Sequence, residues 1–191
     1  LLKSALFAQG KIMNRRVVIT GGPGFGKSSI IDELERRRYH VFHEVARQII
    51  DKALANDAQA TPWNNVMDFS NKVLEDRCAH YDIALPRAWS FFDRGIPDIA
   101  AFMMADGIKI PEYIHQACME KTYHTVVFIT PPWKEIYAND EARPQSFEYA
   151  ERIHEAIIKS YNQFGYTLLP IPKTTISKRA DFILKALGIF E

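Results

Sequence analysis

The residues with the clearest chemistry lie between Gly21 and Ser28, where GGPGFGKS sets Gly21, Gly26, Lys27 and Ser28 at the spacing G-x-x-x-x-G-K-S. That spacing serves a polyphosphate, because backbone N–H groups can surround the anion at a helix start once glycines have cleared the approach. The nucleotide-binding set expected from it is Gly22, Pro23, Gly24, Phe25, Gly26, Lys27, Ser28 and Ser29. Lys27 is expected to reach the β- and γ-phosphates, and the Ser28 hydroxyl to ligate magnesium. The competing view is a glycine-rich turn that merely reverses the chain. Against it stand the apolar strand Val17–Ile19 directly before the loop and Ile30, Ile31 and Leu34 at helical spacing after it. ATP or GTP is the implied ligand.

Four further stretches have to position partners for such a loop. Short apolar strands are expected at 39–44, 89–93, 126–129 and 167–169, with helices at 45–55, 64–85, 96–105, 111–121, 147–164 and 178–187. Alternating short strands and helices argue for a three-layer α/β fold with a mainly parallel five-stranded sheet, of the P-loop kinase-like kind. Ligands of such sheets bind beyond the carboxyl ends of the strands. The polar residues that follow each strand are therefore expected to converge: the loop itself, Glu44 with Arg47, Asp93 with Arg94, and the segment around Arg143.

Each of these has a chemical use. Asp93 ends an apolar strand and is expected to act on the magnesium side with Ser28; an N-cap for the next helix is the alternative. Glu44 is a candidate base for an acceptor hydroxyl, and Arg47 and Arg94 are candidate contacts to substrate or phosphate. An ordinary i,i+3 pair between Glu44 and Arg47, or an ion pair at Arg94, remains open. The polar run Asn139–Arg143 between a strand and a helix suits a lid that delivers Arg143 to the transferring phosphate, whereas Arg152 reads as part of a solvated helix face. The six histidines show no compact ligand spacing, so no transition-metal site is assigned. Asn71-Lys72-Val73-Leu74 lacks the acid of a guanine-reading N-K-x-D pattern and falls mid-helix.

Taken together, GGPGFGKS, HEVARQII at 43–50, FFDRGIPD at 91–98 and NDEAR at 139–143 resemble the AAA-domain predicted ATPases grouped with the ribosylnicotinamide kinase domain of NadR. The layout is also similar to that of deoxynucleoside kinases. The resemblance implies Glu44 as base, Asp93 as magnesium-side acid, Arg94 as a substrate or phosphate contact and Arg143 as a lid arginine. The family loop usually holds a small residue where this chain has Phe25, so that ring must point away from the phosphates or shape the pocket.

With 191 residues, 47% of them hydrophobic and 25% charged, the chain has room for one well-buried domain, expected at 15–191. Residues 1–14, which lack an initial Met, are read as a tail outside the fold. A net charge of +1 gives no electrostatic case for nucleic acid or a membrane surface, and no apolar run approaches the ~20 residues of a membrane span. Cys78 and Cys118 lack C-x-x-C spacing and are expected to be free thiols in a cytoplasmic protein. The expected activity is that of a small-molecule kinase using Mg2+ and ATP or GTP on an unidentified hydroxyl acceptor. A nucleotide-dependent switch with slow hydrolysis, signalling through a protein partner, is the alternative. An oligomeric motor is disfavoured by the short chain.

Overall fold

A computed structural model describes residues 14–55, 65–85, 87–137 and 146–189. The segment 139–143, expected as a lid, and its Arg143 lie outside the described residues. Five strands, β1 (Arg16–Gly21), β2 (His40–Phe42), β3 (Ser90–Asp93), β4 (Val126–Thr130) and β5 (Thr167–Pro170), form one sheet in the order β2-β3-β1-β4-β5. Every neighbouring pair is parallel, with Ile19 in register with both Asp93 and Phe128. The sheet is thus the buried, helix-covered kind that near-continuous apolar runs demand.

Among the described residues seven α-helices follow or connect the strands: α1 (Lys27–Arg36), α2 (Val45–Ala55), α3 (Val66–Ile83), α4 (Pro97–Ala105), α5 (Glu112–Glu120), α6 (Phe147–Gln163) and α7 (Ile176–Ala186). A 3-10 turn occupies Lys134–Ile136 after β4. The period of two along β1 sends Val17 and Ile19 to one face and Val18 to the other. On the first face Ile30, Ile31 and Leu34 of α1 meet Ala180, Ile183 and Leu184 of α7. On the second, Ile153, Ile157 and Tyr161 of α6 pack with Ile96 and Ala101 beside α4. A third cluster, Val45, Val73, Ile99, Met103 and Ile114, fills the space among α2, α3, α4 and α5.

Two helix boundaries explain how the chain is held. Asn65 and Ser146 accept from the backbone N–H three residues on, at Asp68 and Tyr149, which starts α3 and α6 by satisfying an orphan donor. Helix α4 is buried nearly all round, Asp98 included, so this acid must find all its partners inside the protein. Among the described residues no helix is long and apolar enough to cross a membrane. Cys78 and Cys118 are free thiols, and burial pushes Cys118 up to about 12.

Candidate active site

The glycine-rich loop leaves β1 from the middle of the sheet and turns into α1 at Lys27. Gly26 has φ +76°, and a Cβ there would lie 2.8 Å from Arg179 Nη1 and 2.9 Å from Ile136 Cδ1. Both the left-handed backbone and the close approach call for glycine. Arg179 of α7 backs the loop: its guanidinium donates to the Gly26 carbonyl at 3.3 Å and lies 5.5 Å from the Trp133 ring centre. Phe25 points away from the loop's hollow into the protein. It is 1% exposed, with ring centres 5.7 Å from Phe147, 5.9 Å from His154 and 6.3 Å from Tyr137. His154 is held neutral, lowered to about 4 by burial and then by the Lys27 charge.

Lys27 Nζ is buried and donates to the carbonyls of Gly21 at 3.1 Å and Gly22 at 2.9 Å. Burial first, and the neighbouring Arg94 charge second, lower it to about 7 against the pull of Asp93, Glu44 and Asp98. Asp93, at the carboxyl end of β3, accepts from the Ser28 hydroxyl at 2.9 Å through Oδ2, while its Oδ1 is buried without a partner. Burial and the Glu44 charge raise Asp93 above the usual carboxylate range. A hard divalent cation fits here: an orphaned carboxylate oxygen beside a serine hydroxyl supplies oxygen donors of the type magnesium takes.

The opposite wall is a closed set of ion pairs. Glu44, between β2 and α2, pairs with Arg77 of α3 at 2.9 Å and with Arg94 in the turn after β3. Arg94 also donates to Asp98 Oδ1 at 2.9 Å and to the Gly21 carbonyl at 3.0 Å, which ties this wall to the loop. It does so from a left-handed backbone, φ 75°, unusual for a residue with a Cβ. Asp98 accepts from Thr20 Oγ1 at 2.6 Å, Tyr161 Oη at 2.6 Å, Gly95 N at 2.9 Å and Arg94. Burial would raise Asp98, but the Arg94 and Arg77 charges and its hydroxyl donors hold it below the usual range.

Between the two walls lies a cavity of 190 Å3. Lys27, Ser28, Glu44, Arg47, Asp93 and Arg94 all line it, so the structure brings together the groups expected from sequence at the strand ends and at the start of α1. Its remaining walls are largely apolar, with Phe69 from α3, Phe102 from α4 and Tyr149 from α6. Glu44 does not need Arg47 as its partner, since Arg77 and Arg94 occupy that role; Arg47 is exposed at the cavity's edge. Arg77, Asp98 and Arg179 were not singled out from sequence. Asn71, by contrast, lies within α3 as read and accepts from Tyr113 Oη at 2.6 Å.

Known proteins bear on this geometry. The model of the family described as "AAA domain" matches residues 16–179. No curated protein matches the chain. Among solved structures, deoxyadenosine kinase from M. mycoides with products is similar at a TM-score of 0.67 and 17% identity, covering 92% of this chain and 100% of that one. Thymidylate kinase from Candida albicans gives 0.66 at 12% identity, covering 92% of each chain. NadR in complex with NR gives 0.69 at 16%, covering 93% of this chain and 53% of that one. At these identities the likeness is one of fold, and the fold is that of P-loop kinases.

Proposed function

The chain belongs to the AAA-domain family, and on that footing we propose that it is a small-molecule kinase transferring the γ-phosphoryl group of ATP or GTP to a hydroxyl acceptor. The observation that carries this is the cavity beside the loop. A switch needs room for its nucleotide alone, whereas here a space with largely apolar walls from α3, α4 and α6 opens onto Lys27, Ser28 and Asp93 and has a carboxylate, Glu44, in its wall. The kinase names of the similar folds support the same conclusion.

In this mechanism Lys27 exchanges the carbonyls of Gly21 and Gly22 for the β- and γ-phosphates. Ser28 and Asp93 would hold magnesium, which would neutralise phosphate charge. Glu44 takes the acceptor's hydroxyl proton as the new O–P bond forms and the bond from the γ-phosphorus to the leaving diphosphate breaks. Arg94 holds Glu44 against the loop and Arg47 at the cavity edge meets an acceptor anion, and Arg143 is the arginine assigned to the transferring phosphate. Phe69, Phe102 and Tyr149 favour an acceptor with a flat, largely apolar ring, as in a nucleoside. We place the enzyme in the cytoplasm, a compartment that suits its two free thiols.

The test is release of ADP and GDP from Mg-ATP and Mg-GTP, with and without pooled nucleosides, vitamins and sugars, and with Lys27→Ala as the blank. Turnover that requires one pool is expected and begins to identify the acceptor. Tight nucleotide binding with only slow, pool-independent turnover would sink the kinase in favour of a switch.

A further inference from the structure

Glu44 receives little help from its own segment, whose nearest backbone donor, Ala46 N, stands 3.4 Å from Oε1. Its carboxylate is held from outside instead. Arg94 pairs with Oε2, while Arg77 of α3 donates Nη2 to Oε1 at 2.9 Å. The other arm of Arg77, Nη1, donates at 2.9 Å to the carbonyl of Gly95, two residues past Asp93. At 6% exposure the Arg77 side chain has almost no water to compete for these bonds.

We propose that Arg77 is a positioning residue that sets Glu44 for proton transfer, an inference that rests on Glu44 being the base. Freezing a glutamate side chain costs rotamer freedom. Two arginines gripping one oxygen each fix both the place and the tilt of the carboxylate, and Oε2, on the Arg94 side, keeps a lone pair for the acceptor hydroxyl. Arg77 adds something that Arg94 cannot. Arg94 belongs to the same turn as Asp93, whereas Arg77 brings a helix from across the cavity to that turn and clamps Glu44 to it. Base and metal-side acid thereby share one reference point, the turn Asp93–Gly95. An acceptor lying against α3 is held by the helix that also holds the base.

The test compares Arg77→Met, Arg77→Lys, Glu44→Gln and the double variant Arg77→Met/Glu44→Gln in the full chain, with Mg-ATP and a pool of deoxyadenosine, thymidine and ribosylnicotinamide. Arg77→Met is expected to lower kcat about 10- to 100-fold, with KM for Mg-ATP within about two-fold. Arg77→Lys should recover part of the loss, and in the Glu44→Gln background Arg77→Met should add nothing further. A loss equally large in that background, or a raised KM at unchanged kcat, would overturn the proposal. Should no acceptor be turned over, the kinase itself fails, and the clamp is judged separately by thermal unfolding. The double variant should then lose less Tm than the two single losses combined, by about 3 °C, and additive losses would refute the clamp.

Discussion

The two walls of the cavity treat charge in opposite ways. On the loop side, Lys27 rests on backbone carbonyls and Asp93 Oδ1 has no partner, and burial drives both groups toward their neutral forms. On the far side, Glu44, Arg77, Arg94 and Asp98 answer one another, and the arginines overcome what burial does to Asp98. The first wall is unfinished without a ligand; the charges of the second are paired without one, although Arg77 Nε, like Asp93 Oδ1, has no hydrogen-bond partner among the described residues. Charges left unfinished supply binding energy when phosphate arrives, while charges already satisfied supply a fixed geometry.

The contrast is broken most forcefully at Asp98. Asp98→Ala takes one of its two carboxylate partners from the buried Arg94 and removes the acceptor of four donors, so it should cost about 3–5 kcal/mol in urea denaturation. A cost below about 1 kcal/mol would mean that the second wall is not self-sufficient. Lys27→Met should behave inversely. Phosphoryl transfer should fall at least about 100-fold, worth roughly 3 kcal/mol, while Tm without nucleotide holds or rises because a desolvated ammonium has been removed. A Tm loss as large as that of Asp98→Ala would erase the distinction.

A pH experiment sharpens it. Lys27 is lowered to about 7 in the folded protein from an ordinary value of 10.5, so between those values the unfolded chain holds more protons than the native one. Its contribution to stability therefore rises with pH through that window, and the penalty is fully present below it. Bound phosphate should restore the charge, so Mg-ATP binding near pH ~8.5 should take up close to one proton. Calorimetry in two buffers of different ionisation enthalpy reads this directly, and proton-neutral binding would contradict it. The smallest effect is expected at Phe25, whose ring faces Phe147, His154 and Tyr137. Phe25→Leu should cost about 1 kcal/mol of stability and leave nucleotide affinity unchanged; a weakened affinity would place the ring among the phosphate contacts.

The unfinished wall is also the one that the sequence announces. A loop that binds through backbone needs glycines at set intervals, and those intervals are written along the chain with a strand before them and a helix after. Strand and helix positions were recovered to within a few residues because apolar periodicity is local. The finished wall was read only in part. Glu44 and Arg94 were found as strand-end residues, but spacing offered Arg47 as the partner of Glu44, and pairing across elements leaves no trace in spacing. Arg77 lies in a polar stretch of α3 that looks like a solvated face. Asp98 does carry a signal, an acid at the head of the apolar run Ile99–Met104, but it reads equally well as a favourable first-turn charge. The ring of Phe25 had two allowed directions, and only the aromatic cluster behind the loop selects one.

Strand β1 is hydrogen bonded along both edges, and Val17, Val18 and Ile19 are fully buried. Amides of such a strand meet solvent deuterium only when the whole sheet comes apart, whereas β5, bonded on one edge alone, exchanges through local opening. The glycine-rich loop hangs from a strand that, like β3 and β4, has a neighbour on both edges. Its approach from the β1 side therefore persists as long as the domain does, and the lifetime of the phosphate cradle is the lifetime of the fold.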